Sequence, residues 1–398
     1  MTDSDNMAGI SSVPEGVPMT ERRIPVNDPL VSAKTARALS KWMEIREESE
    51  EDRESYRQYD NYVWKKWIFM VACIVVMFVT AGLACTIGPM NITFVETYET
   101  LWNHITGNIT DVNYDYVIID LRMPRIFMAI VAGAGLAICG AAMQSTLMNP
   151  LADPYTTGVS SGASFGATMA MLAGFTVVAG EYGLVANAFL FSLIPTALIV
   201  ALAKIKKSSP TTMIMAGIAV MYIFNAFTTV MMLMADPNDL EAVYEWQVGS
   251  LSRASWEDIT VSGLFVVSGS LVVMLLSKKL NVLSTGDDMA ASLGVDTSKL
   301  RTFMMILVAL VTASIVSFVG LIGFVGLVAP HVVRLFIGAD NRYLVPASAV
   351  FGAALLMVSD LVGRVVIQPA TLQVGVITAF IGGPVFLWLL LRKNSNVW

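Results

Sequence analysis

The chain has 398 residues, 55% of them hydrophobic and only 14% charged, with a formal net charge of −6 and a mean hydropathy of +0.66. Soluble domains of this size carry about 25% charged residues. The composition therefore excludes an ordinary soluble enzyme and points to an all-α protein that crosses a bilayer many times.

The first 63 residues differ from the rest, with 13 acidic and 8 basic side chains. Residues 1–30 read as disordered. The stretch MEIREESEEDRESYRQYD suits a charged helix but has no apolar face long enough to fold alone. No apolar run precedes Trp64, so no signal peptide is expected and the tail reads as cytoplasmic.

From Trp64 onward, apolar windows fall near 64–88, 124–147, 159–180, 183–203, 211–235, 259–277, 302–322, 343–366 and 374–391. Most suffice to cross roughly 30 Å of hydrocarbon at 1.5 Å per residue. The shorter run FVGLVAPHVVRLFIG (324–338) reads as a half-length helix. About ten helical segments result, an even number, so both termini share one side. With the N-terminus inside, the inner loops hold 13 basic residues and the outer loops four: Arg122, Arg125, Arg253 and Arg364. That asymmetry is a positive-inside bias. The outer loop 89–120 carries two glycosylation triplets, at Asn91 and Asn108, which also arise by chance.

The four outer arginines oppose the general bias. Arg122 and Arg125 flank Pro124, and Arg364 follows Asp360 by four residues. They form either an electropositive rim for carboxylates of an outside partner or snorkelling anchors with an i,i+4 pair between Asp360 and Arg364.

The inner segment SKKLNVLSTGDDMAASLGVDTSKLR (277–301) is punctuated by Gly286 and Gly294. Between them, DDMAASL has helical spacing. Asp287 and Asp288 suit a first turn, and Met289 and Leu293 share a face. VDTSKLR is expected to begin another short helix capped by Asp296. The pair reads as a docking knob for an inner partner or as an ordered surface loop.

No phosphate-binding G-x-x-x-x-G-K-[ST] loop, catalytic triad or H-E-x-x-H motif is present. Cys73, Cys85 and Cys139 lie in apolar runs at spacings that suit no zinc site or disulfide. His104 and His331 are far apart. No metal, cofactor, catalytic residue or nucleic-acid partner is expected. Few acidic residues lie deep in a span, which argues against a carrier driven by an ion gradient. A membrane enzyme acting on lipids is a third reading and lacks a visible catalytic set. Gly133, Gly135, Gly140 and the pair Gly162-x-x-x-Gly166 suit close helix packing, and the 24 methionines suit adaptable packing.

In MNPLADPYTTGVSSGASFG (148–166), Pro150 and Pro154 bias Asn149 and Asp153 away from helix, so the second span must stop there, at the inner mouth. LRMPRIFMAIVAGAGLAICGAAMQSTLMNPLADPYTTGVSSGASFGA, GDDMAASLGVDTSKLR, SFVGLIGFVGLVAPHVVRLFIGADNRYLVPASAVFGAALLMVSDLVGRVV and LQVGVITAFIGGPVFLWLLL resemble the FecCD-type permeases. These are membrane subunits of ABC importers for ferric siderophores, haem and cobalamin. The resemblance spans residues 64–398 nearly without gaps and leaves 1–63 as a separate tail.

The resemblance implies a type II importer permease of ten helices in a plasma membrane. It would pair with a second copy, two ATPase subunits inside and a substrate-binding protein outside. It implies that Arg122, Arg125 and Arg364 are sockets for glutamates of the binding protein. The loop 284–300, with Gly286, Asp287, Asp288, Met289, Leu293 and Gly294, becomes the ATPase coupling element. Asn149, Pro150 and Leu151 fall at the cytoplasmic gate, with Thr211 near a second gate position although Pro210 departs from the family pattern. The implied cargo is a metal chelate. Ferric siderophore is expected, cobalamin is the alternative, and haem or molybdate stays open.

Overall fold

A computed structural model of the chain describes residues 50–88, 90, 92–205, 209–367 and 370–391. The expectations for residues 1–49, Asn91, Lys206, Lys207, Arg392 and Lys393 lie outside these residues. The chain divides into units Met1–Asn61 and Tyr62–Trp398, and the architecture below, residues 50–61 of the first helix apart, belongs to the second.

Regular structure among the described residues is helical. In chain order come α1 Glu50–Thr86, α2 Phe94–Thr106, α3 Val112–Leu147 and α4 Val159–Ala173. Next are α5 Gly183–Ile205, α6 Pro210–Leu233, α7 Pro237–Val248 and α8 Trp256–Leu283. Then follow α9 Asp287–Ser292, α10 Thr297–Val319, α11 Val325–Ile337, α12 Asn341–Val365 and α13 Val374–Leu391. Seven are long and apolar enough to cross a membrane: α3, α5, α6, α8, α10, α12 and the Val63–Thr86 part of α1. The shorter α4, α11 and α13 complete the ten expected segments.

Several boundaries differ from expectation; α3, for one, begins twelve residues before its apolar window. The window 159–180 is helical only to Ala173, where Gly174 adopts a left-handed conformation and ends α4. The short helix expected at VDTSKLR is the first turn of α10 itself: Asp296 is its N-cap and accepts from the Lys299 amide. The span thus begins five residues earlier than its apolar window, because a polar first turn is compatible with an emerging helix end.

α3 is the central element. Its apolar window is 78% buried, against 22% for α8. Small residues make this burial possible. Gly133 of α3 meets Gly352 of α12, and a methyl on either would lie 2.5 Å from the other's carbonyl oxygen. Gly162 and Gly166 of α4 likewise press on the Phe191 and Asn187 carbonyls of α5, as small-residue packing predicts. The faces of α1, α6 and α8 expose Phe78, Ile223 and Leu264 among other apolar side chains.

The bundle has a near end, where α3 finishes, and a far end, where α1 finishes. The break after α3 does not stay at the near surface. Gly217, two turns inside α6, sits against the Thr156 carbonyl. Gly158 sits against Pro195, midway along α5. The segment Met148–Gly158 therefore turns back into the bundle before α4 begins. Irregular backbone at such depth persists only when protein satisfies its polar groups. Here Asn149 Oδ1 accepts from the Leu151 amide at 2.9 Å and Asp153 Oδ1 from the Thr156 amide at 2.8 Å. The Tyr155 hydroxyl donates to the Ile322 carbonyl at 2.9 Å, joining this segment to the second break, between α10 and α11.

Candidate functional site

The outer arginines all lie at the far end, in three different settings. Arg122 is buried. Its guanidinium donates to the carbonyls of Cys85, Thr86 (3.0 Å) and Met90 (2.6 Å), closing the C-terminal end of α1. A cation there satisfies orphan carbonyls and the helix dipole together. Arg364 is also buried. It donates to Asp360 Oδ2 from Nε at 3.0 Å and Nη2 at 2.5 Å, and to the Ala84 carbonyl at 3.0 Å. Arg125 grips the same carboxylate, with Nη2 to Oδ1 at 2.7 Å and Nε to Oδ1 at 2.9 Å. Asp360 is thus clasped by two guanidinium groups.

All three arginines expected at the rim spend donors within the chain, Arg122 on carbonyls and Arg364 and Arg125 on Asp360. Arg125 is the most exposed of the three, and its side chain reaches a cavity of about 200 Å³ at the far end. Arg253, Glu245, Ser250, Ser252 and Gln373 line the same cavity. Arg253 pairs with Glu245 at 2.6 Å on the exposed wall.

At the near end, α9 forms between Gly286 and Gly294, both with positive φ. Met289 and Leu293 are exposed and Ala290 is buried, so one apolar face points away from the bundle. Asp288 stands beside Asp287 in the first turn. Asp287 is held from inside: Arg301 Nη2 donates to its Oδ1 at 2.7 Å. Arg301 is fully buried and also donates from Nε to the Thr146 carbonyl at 3.1 Å.

Thr146 belongs to a last turn of α3 that three other helices hold at successive residues. Arg334 of α11 donates to Gln144 Oε1 at 3.0 Å. Ser145 donates to Asn341 of α12 at 2.9 Å. Arg301 of α10 takes Thr146. Asn341 continues the network, donating to Asn281 Oδ1 from its amide and side chain, and Asn281 donates to Asp340 at 2.7 Å. Burial works to raise the Asp340 carboxyl, but hydrogen bonds from Arg342 and Asn281 overcome it and hold the group at about 2.

Asn149, Pro150 and Leu151 follow this turn directly. Met148 takes a left-handed conformation, and the Asn149 amide donates to the Gln144 carbonyl at 3.1 Å. Leu151 is exposed at the near mouth. Thr211 lies on another element, exposed in the first turn of α6, where Ser209 is the N-cap. The structure thus brings Arg125 and Arg364 together, and Asp287 with the turn that precedes Asn149. It leaves Thr211 apart. Sequence reasoning missed Arg301, Gln144, Asn281 and the Arg125–Asp360 pair. The only visible signal was a charged or amide residue in or beside a span.

The profile of the FecCD transport family matches residues 68–392. The chain belongs to the FecCD transport family. It is a transport permease, a membrane component without chemistry of its own. It is 36% identical to the Fe(3+)-citrate import system permease protein of Bacillus subtilis, over 70% of this chain and 83% of that one. It is 39% identical to the cobalamin import system permease protein of Halobacterium salinarum, over 68% and 72%. Its fold matches a solved inward-facing structure described as a metal-chelate type ABC transporter, with a TM-score of 0.71 and 29% identity, covering 81% of this permease and 98% of that chain.

Proposed function

We propose that this permease belongs to an ABC importer that brings a ferric siderophore through the cell membrane from the far end to the near end. The family match along the bundle carries the importer class. The iron-chelate relative supports the cargo, and the cobalamin relative supports the alternative. The basic bias of the loops supports a cytoplasmic near end and a cytoplasmic polar tail over 1–63.

In this reading two copies pair around a shared pathway. A loaded binding protein docks at the far end, where Arg125 offers its guanidinium to a carboxylate beside the cavity. Arg122 and Arg364 act through position: one closes α1, the other fixes the Asp360 carboxylate that aims Arg125. Two ATPase subunits dock on the Met289–Leu293 face of α9, with Gly286 and Gly294 at its ends. Asn149, Pro150 and Leu151 form the near-end gate, with Thr211 at its margin. Nucleotide and cargo then bias one helix arrangement from opposite ends.

The test is to reconstitute the permease with its ATPase and binding protein in liposomes. ATP-dependent uptake of a radiolabelled ferric hydroxamate is expected, exceeding that of cobalamin. Faster cobalamin uptake selects the alternative cargo. Uptake driven by an ion gradient without ATP overturns the importer class.

The Asp287–Arg301–Thr146 link supports a route from α9 to the gate. Losing a charge-assisted hydrogen bond removes about 1.5–3 kcal/mol, and 1.4 kcal/mol is about tenfold in an equilibrium. Asp287→Asn is therefore expected to lower cargo carried per ATP by about tenfold while leaving ATP hydrolysis and dimer assembly intact. An unchanged ratio of transport to hydrolysis reduces the link to scaffolding.

A further inference from the structure

We propose that α2 is a membrane-interface helix whose apolar arc rests in the headgroup–acyl boundary of the far-end leaflet. The arc comprises Phe94, Val95, Tyr98, Trp102 and Ile105, all exposed. At 100° per residue these five fall within an arc of about 100°. Thr97 and Thr100 are buried on the opposite side and face the protein. Glu99 and Thr106 follow the apolar arc on the remaining, exposed sector. The helix thus has three sectors, toward protein, water and an unfilled apolar contact. A helix in solution has no use for the third.

The occupant follows from where α2 sits. A methyl on Gly82 would lie 3.1 Å from the Tyr98 hydroxyl. Gly82 is one turn inside the membrane-crossing part of α1. The apolar arc is therefore continuous with the lipid-facing surface of α1, which exposes Phe78, Val79 and Leu83 just below. Tyr98 and Trp102 have the amphipathic rings that favour the interfacial layer. The pose is held rigidly. A capping box joins Thr93 and Glu96, Gly107 closes the C-terminus, and His104 pairs with Asp115 at 2.8 Å. α2 carries no Lys or Arg, so contact is made by apolar burial rather than attraction to anionic lipid. A zwitterionic bilayer should suffice.

The experiment labels single introduced cysteines with an environment-sensitive fluorophore in full-length permease in phosphatidylcholine nanodiscs. The native cysteines are buried and serve as an unlabelled background, checked by the parent protein. The sites are Val95→Cys and Ile105→Cys on the arc and Glu99→Cys on the water sector. Lipid carrying a spin label at acyl carbon 5 is expected to quench labels at 95 and 105 at least twofold more than the label at 99, with iodide quenching in the reverse order. Iodide quenching at 95 and 105 equal to that at 99 overturns the proposal. So does protection of 95 and 105 from both quenchers, which would assign the arc to a protein partner such as a second copy. Neither readout depends on cargo, ATPase or binding protein.

Discussion

Asp360→Ala is expected to destabilise the permease by about 3–5 kcal/mol, the range for removing one partner of a buried ion pair. The carboxylate is buried and is the shared acceptor of Arg125 and Arg364. Removing it leaves two like charges facing each other at the far end, one of them buried. The expected readout is a large fall in the thermal midpoint of detergent-purified protein. Replacing Arg364 together with Asp360 by Met and Leu should recover more than half the loss, since apolar replacement of a buried pair is often nearly neutral. Arg125 is then left with the far-end cavity as its outlet. A single variant that melts like the parent would show that the triad contributes no net stability.

The second large effect lies at the crossing of α3 and α11. A methyl on Gly140 would sit 1.7 Å from the Gly326 carbonyl oxygen. No rotamer relieves that contact, because a Cβ is fixed by its own backbone and its partner is packed backbone. Gly140→Ala should therefore cost as much as a severe overpacking substitution, ~3 kcal/mol or more, even though Ala is the better helix former. Gly263→Ala is the control: it sits in helix α8 with open space around it and should be neutral or stabilising by up to about 1 kcal/mol. Equal melting of the two variants would disprove the close crossing. Separation of α11 from α3 should also release the Gln144–Arg334 contact and leave uptake impaired in any sample that folds.

What could be read in advance follows the range of the physics. Pro150 and Pro154 each bias the residue before them away from helix, so the break after Leu147 was legible from local residues. The Asp360–Arg364 pair was legible because i,i+4 residues meet on any helix. The Arg125–Asp360 pair spans 235 positions and depends on the α3–α12 crossing, so no local rule could select it over solvent exposure. Arg301 followed a polar turn and read as an inner-loop charge, whereas α10 carries it inward beneath α9. The apolar residues after Gly174 extended the expected span, because hydropathy does not see a left-handed cap. The helix at α9 was legible from its spacing between two glycines, whereas the intrachain partners of Arg122 and Arg364 on α1 were not, since they lie 36 or more positions away.

The threefold hold on the end of α3 limits its degrees of freedom. Gln144, Ser145 and Thr146 stand at azimuths about 100° apart; α11 and α12 hold the side chains of the first two and α10 holds the carbonyl of the third. A helix gripped from three azimuths cannot spin about its own axis without breaking two or three hydrogen bonds together. It can tilt or slide only with its three neighbours. In the proposed coupling, a force arriving through Arg301 would reach Met148–Leu151 as displacement of a rigid block, without torsional slack, and the compliance for opening would reside in the non-helical backbone beyond it.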